Sequence, residues 1–344
     1  SDGAGTAAPL VAAGATLDPD TTDWLNGRVW TGGALSTDWS AGANWFPAGA
    51  PTATEAAIFN ATSDLAANQP ATGVATLPTP NQVGGVVVFT SYAKTITIDG
   101  ALTLNGDLSF NATGLAAFSL GANTLTVLDD ATITGGPLGA GTGTVRLAKP
   151  AGTALLTHAG GGRIDALLAV GSVGGSTTVV RLVGALDVDA LTIETTSTLD
   201  AATNDPAVDV NGTFTLAGTG TYAEGTSNTT LSGNLVVAAT ATWTNDATGQ
   251  LVFDGPVGGQ TWDGGGTAGV GNVQINNGVV APNGANVQLV NNGASCSTLE
   301  VTVDDALDLN GQALLATGTA AVAGTVTTGA GELEVDGLFT LTGT

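Results

Sequence analysis

The sequence predicts an all-β chain built as a parallel β-solenoid, or β-helix, with an aromatic-rich cap near its N-terminus. Two patterns carry this prediction. Short strands with period-two alternation follow one another from about residue 83, and a six-residue unit with glycine at its second position recurs among them. In addition, no stretch combines helical apolar spacing with helix end signals, so we expect almost no α-helix.

Three regions follow from the distribution of residue types. Residues 1 to 20 are rich in Ala, Gly, Thr and Pro and are predicted to form a flexible N-terminal arm. Residues 21 to 82 hold four of the six tryptophans, which predicts a compact cap over one end of a solenoid. Residues 83 to 344 are predicted to form the solenoid itself.

The recurring unit has a small or polar residue, then Gly, any residue, and an apolar-polar-apolar triplet. We expect the glycine to supply a positive φ at a corner, and the triplet to point two apolar side chains inward. Coils of about 20 to 30 residues with two or three strands would accommodate the unequal spacing. Tandem antiparallel β-sandwiches are the alternative fold, because they also have short strands at close intervals. The units begin at Asp99, Asn105, Val183, Asn211, Ser232 and Asp336.

The composition predicts a chain that folds and has an acidic surface. It is 43% hydrophobic and 10% charged, with a formal net charge of −23. Residues 182 to 344 contain 17 of the 29 acidic residues and no Lys or Arg. Such a surface repels nucleic-acid phosphates and anionic lipids, and no apolar run is long enough to span a bilayer. We therefore expect no nucleic-acid partner and no membrane insertion, whereas divalent cations and surface glycans are compatible partners.

The Trp-rich region resembles a known family. The stretch Trp30-Thr31-Gly32-Gly33 is followed by Asp38-Trp39, Asn44-Trp45, Pro51 and Ala57-Ile58-Phe59. This order is similar to the opening of the autotransporter-associated β-strand repeat proteins and related large bacterial surface proteins. The resemblance implies a secreted, surface-exposed β-solenoid passenger without enzymatic activity.

The residues that catalysis needs are sparse. The only histidine, His158, lies in a Gly-rich stretch where we expect a loop or corner, and no nucleophile elbow is present. Asp187 and Asp189 point to the same side of a predicted strand, with Arg181 nearby. They could be the paired carboxylates of a polysaccharide-degrading β-helix enzyme, or simply an acidic outer face of one coil. We predict no catalytic residue, no cofactor-binding residue and no enzymatic activity.

Two groups of aspartates are candidate calcium ligands. They are Asp129 with Asp130, and Asp304 with Asp305 and Asp308. Oxygen-rich turns of this kind can hold calcium together with backbone carbonyls, although solvated turns have the same composition. The single cysteine, Cys296, excludes an intrachain disulfide, and we expect it to be a small buried residue in a strand.

The ends of the sequence suggest an assembly. The chain lacks any Met and begins Ser1-Asp2, which is typical of a secreted product whose signal peptide has been removed. Its last strand is predicted to carry Leu338, Phe339 and Leu341 with nothing to cover them, and Leu10 and Val11 are the apolar part of the arm. A chain cut from a longer passenger would have the same bare end.

These patterns favour a secreted structural subunit of an extracellular filament, matrix or cell-surface layer. Its copies would associate head to tail, either by stacking of the cap on the last coil or by addition of the arm as a strand. A cell-surface adhesin or stalk that binds glycan or protein is the first alternative, and the polysaccharide-degrading enzyme is the second.

Overall fold

Strands joined by corners form almost all of the regular structure in the computed structural model. By contacts the chain divides into two compact units. Unit 1 comprises the described residues up to Lys149 together with Leu155–Ala166, and unit 2 comprises Pro150–Ala154 and the described residues from Leu167 onward. The predicted arm lies outside the described residues, as does Trp24. The structure describes residues 27–34, 36–64, 82–112, 118–159, 161–171, 177–246, 248–255, 259–265, 269–277 and 286–343.

Unit 1 begins irregularly and continues as a parallel β-solenoid. A 3-10 turn (Gly42–Asn44) precedes β2, and a four-residue helix, α1 (Ala61–Asp64), follows β3. Two strands, β14 (Thr153–His158) and β15 (Arg163–Val170), have residues in both units. The other strands of unit 1 are β1 (Gly27–Trp30), β2 (Trp45–Phe46), β3 (Ala56–Phe59), β4 (Gln82–Val83), β5 (Gly85–Val88), β6 (Ile96–Thr97), β7 (Leu102–Leu104), β8 (Leu108–Asn111), β9 (Phe118–Gly121), β10 (Thr124–Val127), β11 (Ala131–Gly135), β12 (Pro137–Gly141) and β13 (Thr144–Leu147).

Three parallel ladders run through unit 1. The first links β1, β3, β5, β8 and β11, the second β4, β7, β10 and β13, and the third β6, β9 and β12. In the second ladder Leu125 lies between Leu102 and Val145, so successive coils take 23 and 20 residues. Strand β2 differs, because it pairs antiparallel with β1.

Alternation along each strand decides which side chains fill the interior. In β10, Leu125 and Val127 have no exposed surface, whereas Thr124 and Thr126 lie on the outer side. Successive strand residues point to opposite faces, so this pattern buries every second side chain. Full burial of a Leu or Val side chain contributes about 1.5 to 3 kcal/mol. Stacked apolar side chains therefore supply the stability of a coil that is too small to fold alone.

The predicted aromatic cap is present at the start of unit 1. Trp45 packs edge-on against Trp30 and Trp39, with ring centroids 5.2 and 5.6 Å apart. Phe59 joins this cluster and connects it to Tyr92, 5.5 Å away. Because β3 also pairs parallel with β5, the ladder begins within the predicted capping region rather than at residue 83.

Two polar side chains hold the cap in shape. The buried Asn44 donates its side-chain amide to the Ser36 and Asp38 carbonyls, and its Oδ1 accepts the Ala34 N–H at 2.8 Å. Arg28 donates to both carboxylate oxygens of Glu55, the shorter contact being 2.7 Å, and to the Pro47 and Ala48 carbonyls. Each group satisfies backbone atoms that the irregular chain leaves without ladder partners.

Unit 2 is also a parallel β-solenoid. Its strands are β16 (Val179–Val183), β17 (Leu186–Ile193), β18 (Thr198–Asp200), β19 (Val208–Val210), β20 (Phe214–Leu216), β21 (Thr221–Ala223), β22 (Thr229–Leu231), β23 (Leu235–Val237), β24 (Thr242–Thr244), β25 (Gln250–Phe253), β26 (Gln260–Asp263), β27 (Gly269–Ile275), β28 (Val287–Leu289), β29 (Ala294–Val301), β30 (Ala306–Asp308), β31 (Ala313–Ala316), β32 (Ala320–Val322), β33 (Thr325–Thr327), β34 (Glu332–Val335) and β35 (Phe339–Leu341).

In the ladders of unit 2, each strand residue pairs with the equivalent residue of the next coil. One ladder links β16, β18, β21 and β24, another runs from the start of β17 to β35, and a third runs from the end of β17 to β33. A further ladder links the first residues of β27 to the first residues of β29, and these to β31 and β34. The second ladder stacks Leu186, Val208, Thr229, Leu251, Val273, Leu299, Ala320 and Phe339.

The ladders confirm the predicted β-solenoid with its N-terminal aromatic cluster. Tandem antiparallel β-sandwiches are the wrong alternative, because the strands of both units pair in parallel with the equivalent strand one coil away. Parallel neighbours cannot be joined by a tight hairpin, so each pair is separated by a full coil of chain.

Glycine occupies the second position of the recurring unit for a different reason from the one we expected. Only Gly184 among the predicted corner glycines has a positive φ, at 81°. At Gly212 and Gly233 a Cβ would lie 2.5 Å from the Asp189 carbonyl oxygen and 2.1 Å from the Gly212 carbonyl oxygen. The glycine is therefore required because the corners of successive coils approach too closely for a side chain.

Corner length varies without disturbing the ladders. The chain passes from β19 to β20 through residues 211 to 213, but from β27 to β28 through residues 276 to 286. Strands β20, β23, β26 and β28 nevertheless remain in one parallel ladder. The number of residues that join these two ladders can therefore differ between coils without a break in the ladders.

The alternation can be tested within one strand. Leu235→Ala should lower the free energy of unfolding by about 2 to 5 kcal/mol, because Leu235 is completely buried in β23. Its neighbour Val236 is 37% exposed, so Val236→Ala should change stability by about 0.5 kcal/mol or less. Urea unfolding followed by circular dichroism measures both. Equal losses in the two variants would contradict this register of β23.

Candidate functional site: the exposed face of residues 325 to 343

The last described coil of unit 2 exposes side chains that other coils bury. In β35, Phe339 and Leu341 are 46% and 54% exposed. Their ladder partners one coil earlier, Ala320 and Val322, are 1% and 2% exposed. The exposed residues thus occupy interior positions of the stack, and apolar interior positions are the ones that a further coil would cover.

The same exposure continues on the other strands of this coil. Val326 of β33 and Leu333 and Val335 of β34 are only half-buried, although they stand opposite the buried Leu307, Leu314 and Ala316. Leu338, just before β35, is 69% exposed. We call residues 325 to 343 the exposed coil face.

Backbone hydrogen bonds of the exposed coil face point towards the preceding coil. Examples are Ala320 N–H to the Leu338 carbonyl at 3.0 Å, and Thr342 N–H to the Val322 carbonyl at 2.9 Å. Among the described residues of unit 2, no strand pairs with the opposite side of β33, β34 or β35. An apolar strand edge of this kind is a template for addition of another strand.

The exposed coil face also carries carboxylates. Glu332, Glu334 and Asp336 are all exposed and lie in or next to β34. Unit 2 as a whole contains 17 acidic residues and a single base, Arg181. An approaching acidic surface would be repelled over about 8 to 10 Å at physiological ionic strength. Association at this face therefore has to overcome like charge.

Unit 1 has an exposed aromatic residue on an edge strand of its own. Phe46 lies in the two-residue strand β2 and is 62% exposed. Its backbone pairs with Val29 of β1, on one side only among the described strands. The predicted assembly residues Leu338, Phe339 and Leu341 are thus exposed, whereas Leu10 and Val11 lie outside the described residues.

The predicted calcium ligands are dispersed. Lys149 contacts the carboxylates of both Asp129 and Asp130, the latter at 3.3 Å. Asp130 Oδ1 also accepts the Leu155 N–H at 2.9 Å. A lysine in this position supplies the positive charge that a cation would otherwise bring.

In the second aspartate group, Asp305 and Asp308 accept hydrogen bonds from amide groups. Asp305 is buried, and its Oδ1 accepts the Asn277 N–H and the Asn286 amide, both at 3.1 Å. Asp308 accepts from Gln288 at 2.9 Å, and Asp304 is exposed with a φ of 70°. Within the described residues, no three acidic, His or Cys side chains come together as metal ligands. Calcium binding stays a prediction.

The remaining candidate residues lie on the outer face of strands or are buried in them. Asp187 lies on the outer side of β17, opposite Asp209 in the ladder, and accepts the Asn211 amide at 2.9 Å. Asp189 also faces outward, so both carboxylates belong to an acidic outer face. Our expectation for His158 was wrong: it is the last residue of strand β14, buried opposite Ile133. Cys296 is buried in β29 as expected, and burial raises its pKa to about 12.

Buried amides at one corner were not predicted from the sequence. Gln260 donates its amide to the Leu231 and Gly233 carbonyls, both at 2.7 Å, and its Oε1 accepts the Gly255 N–H and the Asn277 amide. These side chains link successive coils where the backbone turns away from the ladder, which satisfies buried polar groups. Gln and Asn are common in the polar corners of this sequence, and nothing local marks these few as buried.

Membrane-spanning helices are not found among the described residues. No protein-family model matches the sequence, and neither a curated protein nor a solved structure shows significant similarity to it. The resemblance of residues 30 to 59 to autotransporter-associated repeat proteins stays a hypothesis.

A third carboxylate next to Lys149 gives a prediction about stability. Asp107 is half-buried and its Oδ1 accepts the Asp130 N–H at 3.2 Å. Burial, followed by the nearby charges of Asp129 and Asp130, raises its pKa from 3.8 to about 6. The folded state therefore binds this proton more tightly than the unfolded chain does. Its contribution to the free energy of unfolding declines as the pH rises from about 4 to 6.

Asp107→Asn should therefore stabilise the protein at pH 7, by about 1 kcal/mol or less because water screens a half-exposed group. The gain should disappear near pH 3, below the ordinary aspartate pKa of 3.8, where the wild-type carboxyl is protonated in both states. Urea unfolding at the two pH values measures the difference. Asp99→Asn is the control, because it removes the same charge from an exposed position. Equal gains in the two variants would contradict the assigned environment.

Proposed function

We propose that this chain is a non-enzymatic structural subunit of an extracellular or cell-surface assembly, in which copies associate through the exposed coil face. The observation that carries the proposal is the exposure of Phe339 and Leu341 at interior ladder positions. The partner that covers the exposed coil face is a second copy of this chain. Strand addition from that copy would pair the free edge and cover the apolar side chains at the same time.

The copy that docks has two candidate segments. One is the edge strand β2 with its exposed Phe46, which would stack one cap on another copy's exposed coil face. The other is the N-terminal arm, whose Leu10 and Val11 would be added as a strand. Either contact joins different surfaces of two copies and can repeat, so it produces a head-to-tail filament or layer rather than a closed dimer.

The extracellular location and the lack of catalysis are supported by the composition and by the resemblance of the Trp-rich region. A scarcity of charge, a single buried cysteine and outer faces of Thr, Ser, Asn and Asp suit a stable scaffold. The adhesin reading shares these properties, but it predicts a monomer with a glycan or protein ligand.

Neighbouring residues of β35 allow a matched test. Phe339→Lys places a charge at the exposed interior position, whereas Thr340→Lys places the same charge at an outward position of the same strand. We expect wild-type protein and Thr340→Lys to form concentration-dependent oligomers, and Phe339→Lys to lower the association constant by at least about tenfold, which corresponds to 1.4 kcal/mol. Analytical ultracentrifugation and negative-stain electron microscopy measure this.

Two further variants identify the docking segment. Loss of oligomers on deletion of residues 1 to 20 would assign docking to the arm, and loss in Phe46→Lys would assign it to the cap. Association should strengthen when salt is raised from about 10 to 150 mM, because salt screens the repulsion between acidic copies. Wild-type protein that stays monomeric at every salt and protein concentration would overturn the proposal and favour an adhesin or stalk.

A further inference from the structure

A carboxylic acid lies in the interior of unit 2. Glu224 follows β21 and is 2% exposed. The residue that follows the equivalent strand β18 one coil earlier is Ala201, which is 1% exposed. An ionisable side chain thus occupies a place in the stack where the preceding coil has a methyl group.

The Glu224 carboxyl has polar partners but no cation. Its Oε2 accepts the Trp243 Nε1–H at 3.0 Å, and its Oε1 is buried without a hydrogen-bond partner. The Thr229 hydroxyl and N–H also contact this carboxyl, and the Thr229 hydroxyl is 2.8 Å from the Tyr222 hydroxyl. Tyr222 also packs against the rings of Trp243 and Phe214, with centroid distances of 4.7 and 5.3 Å.

Charge in the surroundings cannot offset an ionised Glu224. The only base of unit 2, Arg181, is bound to Asp200 at 3.0 Å. The Asp205 carboxylate of the preceding coil contacts this corner, and Asp246 comes two residues after β24, the ladder partner of β21 on the next coil. An ionised carboxylate buried without a cation is strongly unfavourable, so such groups take up a proton or move to water.

The carboxyl closes a corner of the solenoid. Residues 224 to 228 connect β21 to β22, and with Thr229, the first residue of β22, they form the corner 224 to 229; Glu224 contacts Thr229 at its far end. From the preceding coil, the half-buried Asp205 accepts the Thr226 and Ser227 N–H groups. From the next coil, Trp243 donates to Glu224. The corner is thus held by the Asp205 carboxylate of the preceding coil and by the buried Glu224 carboxyl.

We propose that Glu224 is a proton-operated latch of unit 2: with the carboxyl protonated, the corner 224 to 229 is closed, and loss of the proton opens the corner so that the carboxylate reaches water. The latch needs no partner or ligand and is independent of assembly at the exposed coil face.

The direction of the pH dependence follows from the environment. Burial raises the pKa of Glu224, and this outweighs the hydrogen bonds from Thr229 and Trp243, which lower it. The closed state therefore binds the proton more tightly than the open state. Opening becomes more favourable as the pH rises from the ordinary glutamate pKa to the pKa of the closed state, and it levels off above that value.

Hydrogen exchange followed by mass spectrometry tests the latch in the full chain. We expect protection factors of residues 224 to 229, corrected for intrinsic exchange, to fall about tenfold per pH unit in this window. Glu224→Gln has no charge to solvate, so its protection should be independent of pH. Glu300→Gln is the matched control, because Glu300 lies on the outer side of β29 and accepts from Gln274; it should behave like wild type.

A pH dependence that is the same in wild type and Glu224→Gln would overturn the proposal, as would protection that does not change with pH in wild type. Carbon NMR of the Glu224 carboxyl in the wild-type chain provides a test that does not require the variant to fold. A carboxyl that titrates at or below the ordinary glutamate pKa would also overturn it.

Discussion

Register between successive coils is the constraint on which the rest of both units depends. A parallel ladder sets strands about 4.8 Å apart and places equivalent residues directly above one another. Inner side chains such as Leu231 and Phe253 therefore meet the same position of the next coil, and each is covered only because its neighbour is in register. A slip by one residue would turn the whole inner row of a strand outward. The apolar alternation and the hydrogen-bonded ladder thus enforce the same alignment.

The corners are where this alignment would otherwise be lost. Here the backbone leaves the ladder, and close approach of consecutive coils is permitted by glycines such as Gly212 and Gly233. Buried amides, including Gln260 and Asn277, take over the hydrogen bonds that the strands no longer provide. Glu224 also lies at a corner, but it differs from the buried amides because it can ionise. None of its polar partners carries a positive charge.

Much of the architecture could be predicted from the sequence, because period-two alternation and corner signals are local. Thr95-Ile96-Thr97-Ile98 and Leu235-Val236-Val237 reveal their inward residues by pattern alone. The reason for the glycines could not be read in this way, since a collision with the Gly212 carbonyl involves a residue one coil away. His158 was misplaced for the same reason: Gly-rich flanks indicated a loop, but the ladder with β11 keeps it in a strand.

The candidate sites were less predictable than the fold. The inward positions of Phe339 and Leu341 could be predicted from strand alternation, whereas the burial of Glu224 depends on Trp243 and Thr229 in neighbouring strands. The aspartates proposed for calcium are engaged by Lys149 and by amide donors that are distant in sequence. Side-chain chemistry alone therefore identifies residues that could bind a cation, and only the ladder shows which other groups contact them.

The unequal corners have a consequence for modularity. Because the connection from β27 to β28 is much longer than that from β19 to β20 while both join strands of the same ladders, length at this corner is decoupled from the alignment of the stack. Chain added at such a point incurs mainly a loop-closure entropy, which grows only by about 0.6 kcal/mol for each doubling of length. The corner is thus a natural position for grafting a foreign peptide, and several grafts at successive coils would be displayed about 4.8 Å apart along one edge.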